Sequence, residues 1–425
     1  MIDVESVRAD FPVLQRSIGQ RPLIYFDNAA TTQKPRQVLE TIQAFYTTYN
    51  ANIHRSPHRL GQEATELYDD ARRNVARFIG ADGPEEIVFV RGATEGINLV
   101  AHSLALSENE RLRLQPGDEV VVTVMEHHSN FVVWQRVRDW NGIVLKVVDI
   151  RDDGTLDMQH VREAITGRTR LVCCTHVSNV LGTVNPVREI GRLAHAAGAL
   201  FLVDGAQSVP HLPVDVKEIG CDFLAFSGHK MLAPMGIGAL YGRGELLEEM
   251  SPFLYGGGMV ADVNLEQAIW NALPWKFEGG TPNVCGAVAL GGATDRRTGQ
   301  HLEGAVDYLA RIGMEAVRAH EQALTEAALE GLRAIAGVRV YGPPDVAQRS
   351  GVVAFTVEWN DAHLVAQLLN DAGIAVRSGD HCGFPLADRL AVEGTVRASF
   401  YIYNTLDEVA RFLEALDDVV RHKLL

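Results

Sequence analysis

Lys230 closes the apolar run CDFLAFSGHK, and Cys382 stands between a histidine and a glycine in SGDHCGFP. A lysine just past a buried strand loses water, and desolvation favours the neutral amine, the form that makes a Schiff base. Seen alone, the same lysine reads more readily as a surface residue of a loop, and its partners decide. Upstream, ALFLVDGAQSVP ends a second apolar run on Asp204, with Gln207 shortly after it. A carboxylate there could keep an aromatic ring nitrogen protonated, and Gln207 could donate to an oxygen on the same ring. Asp204 also reads as a strand-end cap or a metal ligand, although no histidine or second acid stands beside it at metal spacing. In FVRGATEGINLV the N–H groups after Gly92, that of Ala93 included, and the hydroxyl of Thr94 open a helix, an arrangement that either binds phosphate or simply caps the turn. His127 and His128 of VMEHHSN are a pair that could stack on a planar ring or pack as ordinary histidines.

These residues sit at the ends of runs that must be strands. From about residue 86, EEIVFV, GDEVVVTVME, GIVLKVVDI, TRLVCCTHVS, GALFLVDGA, CDFLAFSG and IGALYGR alternate with stretches of helical period. That alternation predicts βα units around a mostly parallel, buried sheet, and such folds place ligands at the C-terminal ends of their strands. After residue 300, DYLARIGMEAVRAHEQALTEAALEGLRAIA reads as long amphipathic helix, and VRVYG, GVVAFTVEW and GIAVRSG as strands of a smaller α+β domain. HLVAQLLNDAG has helical spacing and ends on Gly373, a plausible C′ glycine.

The length of 425 residues favours a large domain plus a smaller one. Hydrophobic residues at 47% and charged residues at 22% are ordinary for a globular protein. Asp and Glu number 54 against 39 Lys and Arg, a net charge of −15 that opposes a nucleic-acid or anionic-membrane partner. Acids in MIDVESVRADFPVL occupy places where a signal peptide carries basic residues, and no run has the length of a membrane span, so a cytoplasmic protein is expected. The five cysteines (Cys173, Cys174, Cys221, Cys285, Cys382) lack CxxC spacing, which predicts free thiols and no metal site.

In order along the chain, RADFPVL, YFDNAATTQKP, FVRGATEGINLVA, MEHHSN, THVSNVLGT, LVDGAQSVPH, FSGHK, FEGGTPN, VRSGDHC and VRASFYIYNT resemble the motifs of SUF-type (SufS-like, group II) cysteine desulfurases. That group is a branch of the class V aminotransferase-like enzymes that use pyridoxal 5'-phosphate (PLP). The likeness is nearly full length. It implies an α/β, PLP-dependent transferase fold type I in three parts. Residues 1–25 would pack with the small domain, 26–295 would form the large PLP-binding domain, and 296–425 a small α+β domain carrying the Cys382 loop. It further implies PLP as a covalent aldimine on Lys230, with Asp204 on the pyridine nitrogen, Gln207 on the ring oxygen and His127 stacked on the ring. Ala93, Thr94, Ser227 and His229 would hold the phosphate, joined by Thr281 from a second subunit, hence a homodimer.

For the substrate, the resemblance assigns Arg397 to the carboxylate, where a guanidinium fork suits the geometry, with Arg377 as a second contact. Asn179 would lie near cofactor and substrate, and His54 and Arg55 match the family's N-terminal active-site segment. The implied reaction converts L-cysteine to L-alanine and leaves the sulfur on Cys382 as a persulfide, bound for a SufE-like or SufU-like acceptor and iron–sulfur cluster assembly. A donor such as His381 would assist the thiolate. The same residues would serve a selenocysteine lyase acting on L-selenocysteine. A noncatalytic scaffold would have lost Lys230, Asp204 or Cys382, and none is lost. Two departures from the family pattern stand out: Asp380 and Gly383 replace the common histidine and alanine around Cys382, and Ser56 follows Arg55 where glycine is common.

Overall fold

All seven early apolar runs become strands of one sheet in the computed structural model, which describes residues 2–358 and 361–421. They are β1 (Ile87–Val90), β2 (Glu119–Thr123), β3 (Val144–Val148), β4 (Thr169–Thr175), β5 (Leu200–Asp204), β6 (Phe223–Ser227) and β7 (Gly238–Gly242). The spatial order is β1-β7-β6-β5-β4-β2-β3, parallel throughout except β7, which runs against both of its neighbours. Alternate residues of each strand feed opposite faces, as the two-residue pleat requires. Val121, Val172, Val203 and Leu224 join one core, which also takes up helix α1 (Arg59–Phe78). Val120, Val122, Leu171 and Leu202 join the other, under helix α2 (Ala93–Ala105). Burial on both faces is why most of these strands read as apolar runs, while β3, at the sheet edge, is partly exposed. Helix α3 (Val284–Gly291) completes the first core.

The C-terminal part holds a second, antiparallel sheet of β8 (Val338–Tyr341), β9 (Val352–Val357), β10 (Arg377–Gly379) and β11 (Thr395–Ser399), in the order β8-β9-β11-β10. Its core joins Val353, Phe355 and Val396 to apolar residues of α4 (Met314–Ala334), α5 (Ala362–Asp371) and α6 (Leu406–Arg421). Gly373 follows α5 with φ +85°, as its C′ position predicts. Two runs divide where one element was expected. The stretch from 307 breaks at Gly313, whose φ of +87° separates the helix Ala305–Ile312 from α4. GIAVRSG splits into β10 and the pair Ile374–Ala375, which lies parallel to Ile24–Tyr25. The chain's first residues reach the same region, where Arg8 pairs with Glu408 at 2.9 Å. Among the described residues, no helix is long and apolar enough to cross a membrane.

Candidate active site

The ends of β5 and β6, the turn after β2, the start of α2 and the loop after β10 converge on a cavity of about 320 Å³. β5 delivers Asp204, and Gln207 follows on the next turn. β6 ends in Ser227, and one 3₁₀ turn, Gly228–Lys230, carries His229 and Lys230 into the same space. Ala93, Thr94, His127, Asn179, Arg377, Cys382 and Arg397 also line it.

Burial sets the protonation of this group. Desolvation lowers the Lys230 amine to about 8, opposed by Asp204 and reinforced by Arg397. Burial raises the Asp204 carboxyl, whose Oδ1 accepts from the Ala206 N–H at 2.9 Å. Desolvation drives His127 down to about 3 and His229 to about 4, so both rings are neutral. His127 Nδ1 accepts from the Ser129 N–H at 3.1 Å, fixing the ring, and Ser129 Oγ lies 2.6 Å from Thr94 Oγ1. The Ala93 N–H donates to Ser227 Oγ at 2.8 Å, so the hydroxyls of Thr94, Ser129 and Ser227 gather at the start of α2. Gln207 Nε2 donates to the Ala29 carbonyl at 2.7 Å, while its Oε1 is buried without a partner.

The two arginines share a residue that the sequence reading passed over. Asp27 accepts from Arg377 Nε and NH2 at 3.0 and 2.8 Å and pairs with Arg397 NH2 at 3.4 Å. Arg397 NH1 donates to the Asn179 carbonyl at 2.9 Å, its Nε is buried without a partner, and desolvation lowers it to about 10. Asn179 in turn donates its amide to the His381 carbonyl at 2.7 Å, so it holds the cysteine loop in place. Ser129 and Asp27 are thus part of the site. Neither shows in sequence, because a serine or aspartate becomes informative only through partners far along the chain.

Cys382 is the one exposed cysteine; the other four are buried. Its loop is folded against the histidine pair. His381 and Cys382 both take left-handed backbone, φ +54° and +59°. The Cys382 N–H donates to Asp380 Oδ2 at 2.9 Å, and its carbonyl accepts from the His128 N–H at 2.9 Å. The Phe384 N–H donates to His128 Nε2 at 3.1 Å, and the two rings stack. The expected help from His381 is not borne out by this geometry. Its Nε2 pairs with Thr395 Oγ1 at 2.9 Å, and burial drives the ring to about 3, which removes the positive charge that would favour a thiolate.

Thr281, His54 and Arg55 lie outside this cavity and together line another of about 620 Å³, beside Asp69 and Trp275. His54 there has φ +73°, held by its N–H on Thr65 Oγ1 at 2.9 Å. Ser56 is accommodated by Gly61, where an added Cβ would come within 2.2 Å of the Ser56 Cβ.

A desolvated lysine facing a buried acid at the ends of parallel strands, beside a neutral histidine and a helix start, defines a PLP enzyme of fold type I. The residues fit that group: Arg397 Nε is a buried donor left without a protein partner on a residue that lines the cavity, and Gln207 Nε2 keeps a second N–H beyond the one it gives to Ala29. The Aminotransferase class-V family matches residues 24–412, and the chain belongs to it. A probable cysteine desulfurase of Halobacterium salinarum is 51% identical over 98% of this chain and 96% of its own. The cysteine desulfurase of Haloferax volcanii is 47% identical over the same shares. Among solved structures, the apo cysteine desulfurase of Thermococcus onnurineus NA1 matches with a TM-score of 0.91 at 40% identity, covering 99% of each chain.

Proposed function

We propose that the chain is a SUF-type cysteine desulfurase, which moves the sulfur of L-cysteine onto Cys382 as a persulfide and releases L-alanine. The observation that carries this reading is that Lys230, Asp204, Arg397 and Cys382 line one cavity. PLP bound there supplies an electron sink for the carbanion at the substrate Cα. Asp204 would pair with its ring nitrogen, Gln207 with its ring oxygen and His127 with its face, while Ala93, Thr94, Ser227 and His229 hold the phosphate. Lys230, deprotonated more readily than an ordinary lysine, takes the Cα proton. Arg397 binds the substrate carboxylate through donors that include its unpartnered Nε, with Arg377 beside it and Asn179 aligning the loop. The Cys382 thiolate then attacks the substrate sulfur. An S–S bond forms, the Cβ–S bond breaks, and its electron pair stays with the substrate carbon, which is protonated on the way to alanine.

Because Thr281, His54 and Arg55 line a cavity other than the one lined by this chain's Lys230, we place them against the Lys230 cavity of a second copy in a homodimer. Division into 1–25, 26–295 and 296–425, a cytoplasmic location, a SufE-like or SufU-like acceptor and delivery to iron–sulfur cluster assembly belong to the same proposal.

Incubating the PLP-loaded protein with L-cysteine without reductant should add one sulfur atom to the peptide containing Cys382. Cys382→Ala should abolish that adduct, keep the PLP absorbance and cut alanine formation at least a hundredfold. Wild-type alanine formation persisting in Cys382→Ala would sink the assignment of the nucleophile.

A further inference from the structure

Three side chains of different chemistry meet at the mouth of the cavity. A ring nitrogen of His128, a carboxylate oxygen of Asp380 and the Cys382 sulfur all lie within 4.8 Å of one another. A tetrahedral zinc ion spaces such donors about 3.3 to 3.8 Å apart, so closing on an ion needs shifts of an ångström or less. Backbone bonds already hold the donors together, since the His128 N–H donates to the Cys382 carbonyl at 2.9 Å and the Cys382 N–H to Asp380 Oδ2 at 2.9 Å. His128 Nε2 accepts from the Phe384 N–H at 3.1 Å, so its lone pair points at the loop, and ligation through that nitrogen exchanges this one hydrogen bond for the metal. Asp380 spends Oδ2 on the backbone and keeps a second oxygen for a ligand bond.

We propose that His128, Asp380 and Cys382 form a binding site for a thiophilic divalent cation, zinc in the first place, that caps the Cys382 thiol. One thiolate, one carboxylate and one neutral imidazole neutralise a dication. Sulfur selects zinc over magnesium or calcium, whose ligands are oxygens. As the metal–sulfur bond forms, the thiol proton leaves to solvent and nothing is oxidised or reduced. Cys382 is exposed, so the fourth position stays open to water. The bound cation takes the sulfur lone pair that nucleophilic attack needs, and chelation restores it. Asp380, a departure from the family's common residue, is here the ligand that turns a histidine and a thiol into a three-donor site. The silencing of catalysis, unlike the binding, rests on Cys382 being the sulfur-accepting thiol.

The reduced, PLP-loaded protein is titrated with Co²⁺ and separately with Zn²⁺ against a zinc-binding dye. One ion per chain and a cobalt–thiolate absorbance are expected, the absorbance vanishing in Cys382→Ser. Asp380→Asn, which retains an oxygen for the Cys382 N–H, and His128→Ala should each weaken zinc at least tenfold while the PLP absorbance persists. One equivalent of Zn²⁺ should also slow alkylation of Cys382 by iodoacetamide at least tenfold, reversed by a chelator. Absence of the thiolate absorbance, unaltered alkylation, or wild-type affinity in both Asp380→Asn and His128→Ala overturns the site. None of these readouts depends on turnover. A failure of Cys382 to take sulfur from L-cysteine in metal-free buffer would instead strike the proposed function.

Discussion

Lys230 owes its reactivity to where β6 ends. The strand delivers it into a space whose desolvation brings the amine to about 8 from the ordinary 10.5, with Asp204 and, less, Cys382 pulling the other way. At pH 8 about half of the amine is neutral, against about 0.3% for an unperturbed lysine. The sign follows directly: the neutral form is lost as pH falls, and covalent capture of PLP by cofactor-free protein should slow about tenfold per pH unit below 8. Above 8 the amine contribution should level off. Stopped-flow absorbance during PLP uptake across pH 6 to 10 checks this, and a rate that keeps climbing to pH 10 would discard the desolvation account. The lysine and its acid stood out in sequence because each follows an apolar run and the two occur in one ordered set of motifs. Asp27 was not, because its meaning lies in Arg377, 350 positions away.

At the scale of elements, the large sheet was legible for a physical reason: most of its strands are buried on both faces and so are apolar at nearly every position, β3 at the edge being the partly exposed one. The pair of Ile24–Tyr25 with Ile374–Ala375 was not, since two-residue strands carry no periodicity. Nor did the sequence show how α1 governs the FEGG segment. Arg72 of α1 is buried and donates to both oxygens of Glu278, at 2.6 and 2.8 Å, while Tyr68 and the Phe89 N–H donate to the same carboxylate at 2.8 Å each. Desolvation opposes the charge on Arg72, but Glu278 wins and raises its pKa. The pair fixes the backbone shortly before Thr281. Arg72→Met leaves a buried carboxylate without its cation and should lower stability by about 3–5 kcal/mol in guanidinium unfolding. Adding Glu278→Gln removes the stranded charge while keeping an acceptor for Tyr68 and Phe89, so the double variant should be more stable than Arg72→Met alone. A double variant weaker than the single one would show that geometry, not the buried charge, sets the cost.

The whole molecule separates two sets of candidate residues that one mechanism needs. Lys230 and Cys382 line one cavity, whereas Thr281, His54 and Arg55 line another. A monomer would leave the second set idle, while a two-fold dimer can bring one chain's second set to its partner's first. Sedimentation should therefore give twice the 46.5 kDa chain mass. A stronger check comes from mixed dimers formed by co-expressing differently tagged variants. If Arg55 serves the partner's cavity, a dimer of Lys230→Ala with Arg55→Ala places both defects in one active site and leaves the other intact, so alanine formation should recover toward half of wild type per dimer. Lys230→Ala with Cys382→Ala distributes its defects over both sites, because those two residues share a cavity within one chain, and should stay inactive. Recovery in the second mixture would mean that Cys382 crosses to the partner. Failure of the first, with Arg55→Ala inactive alone, would return Arg55 to the cavity of its own chain.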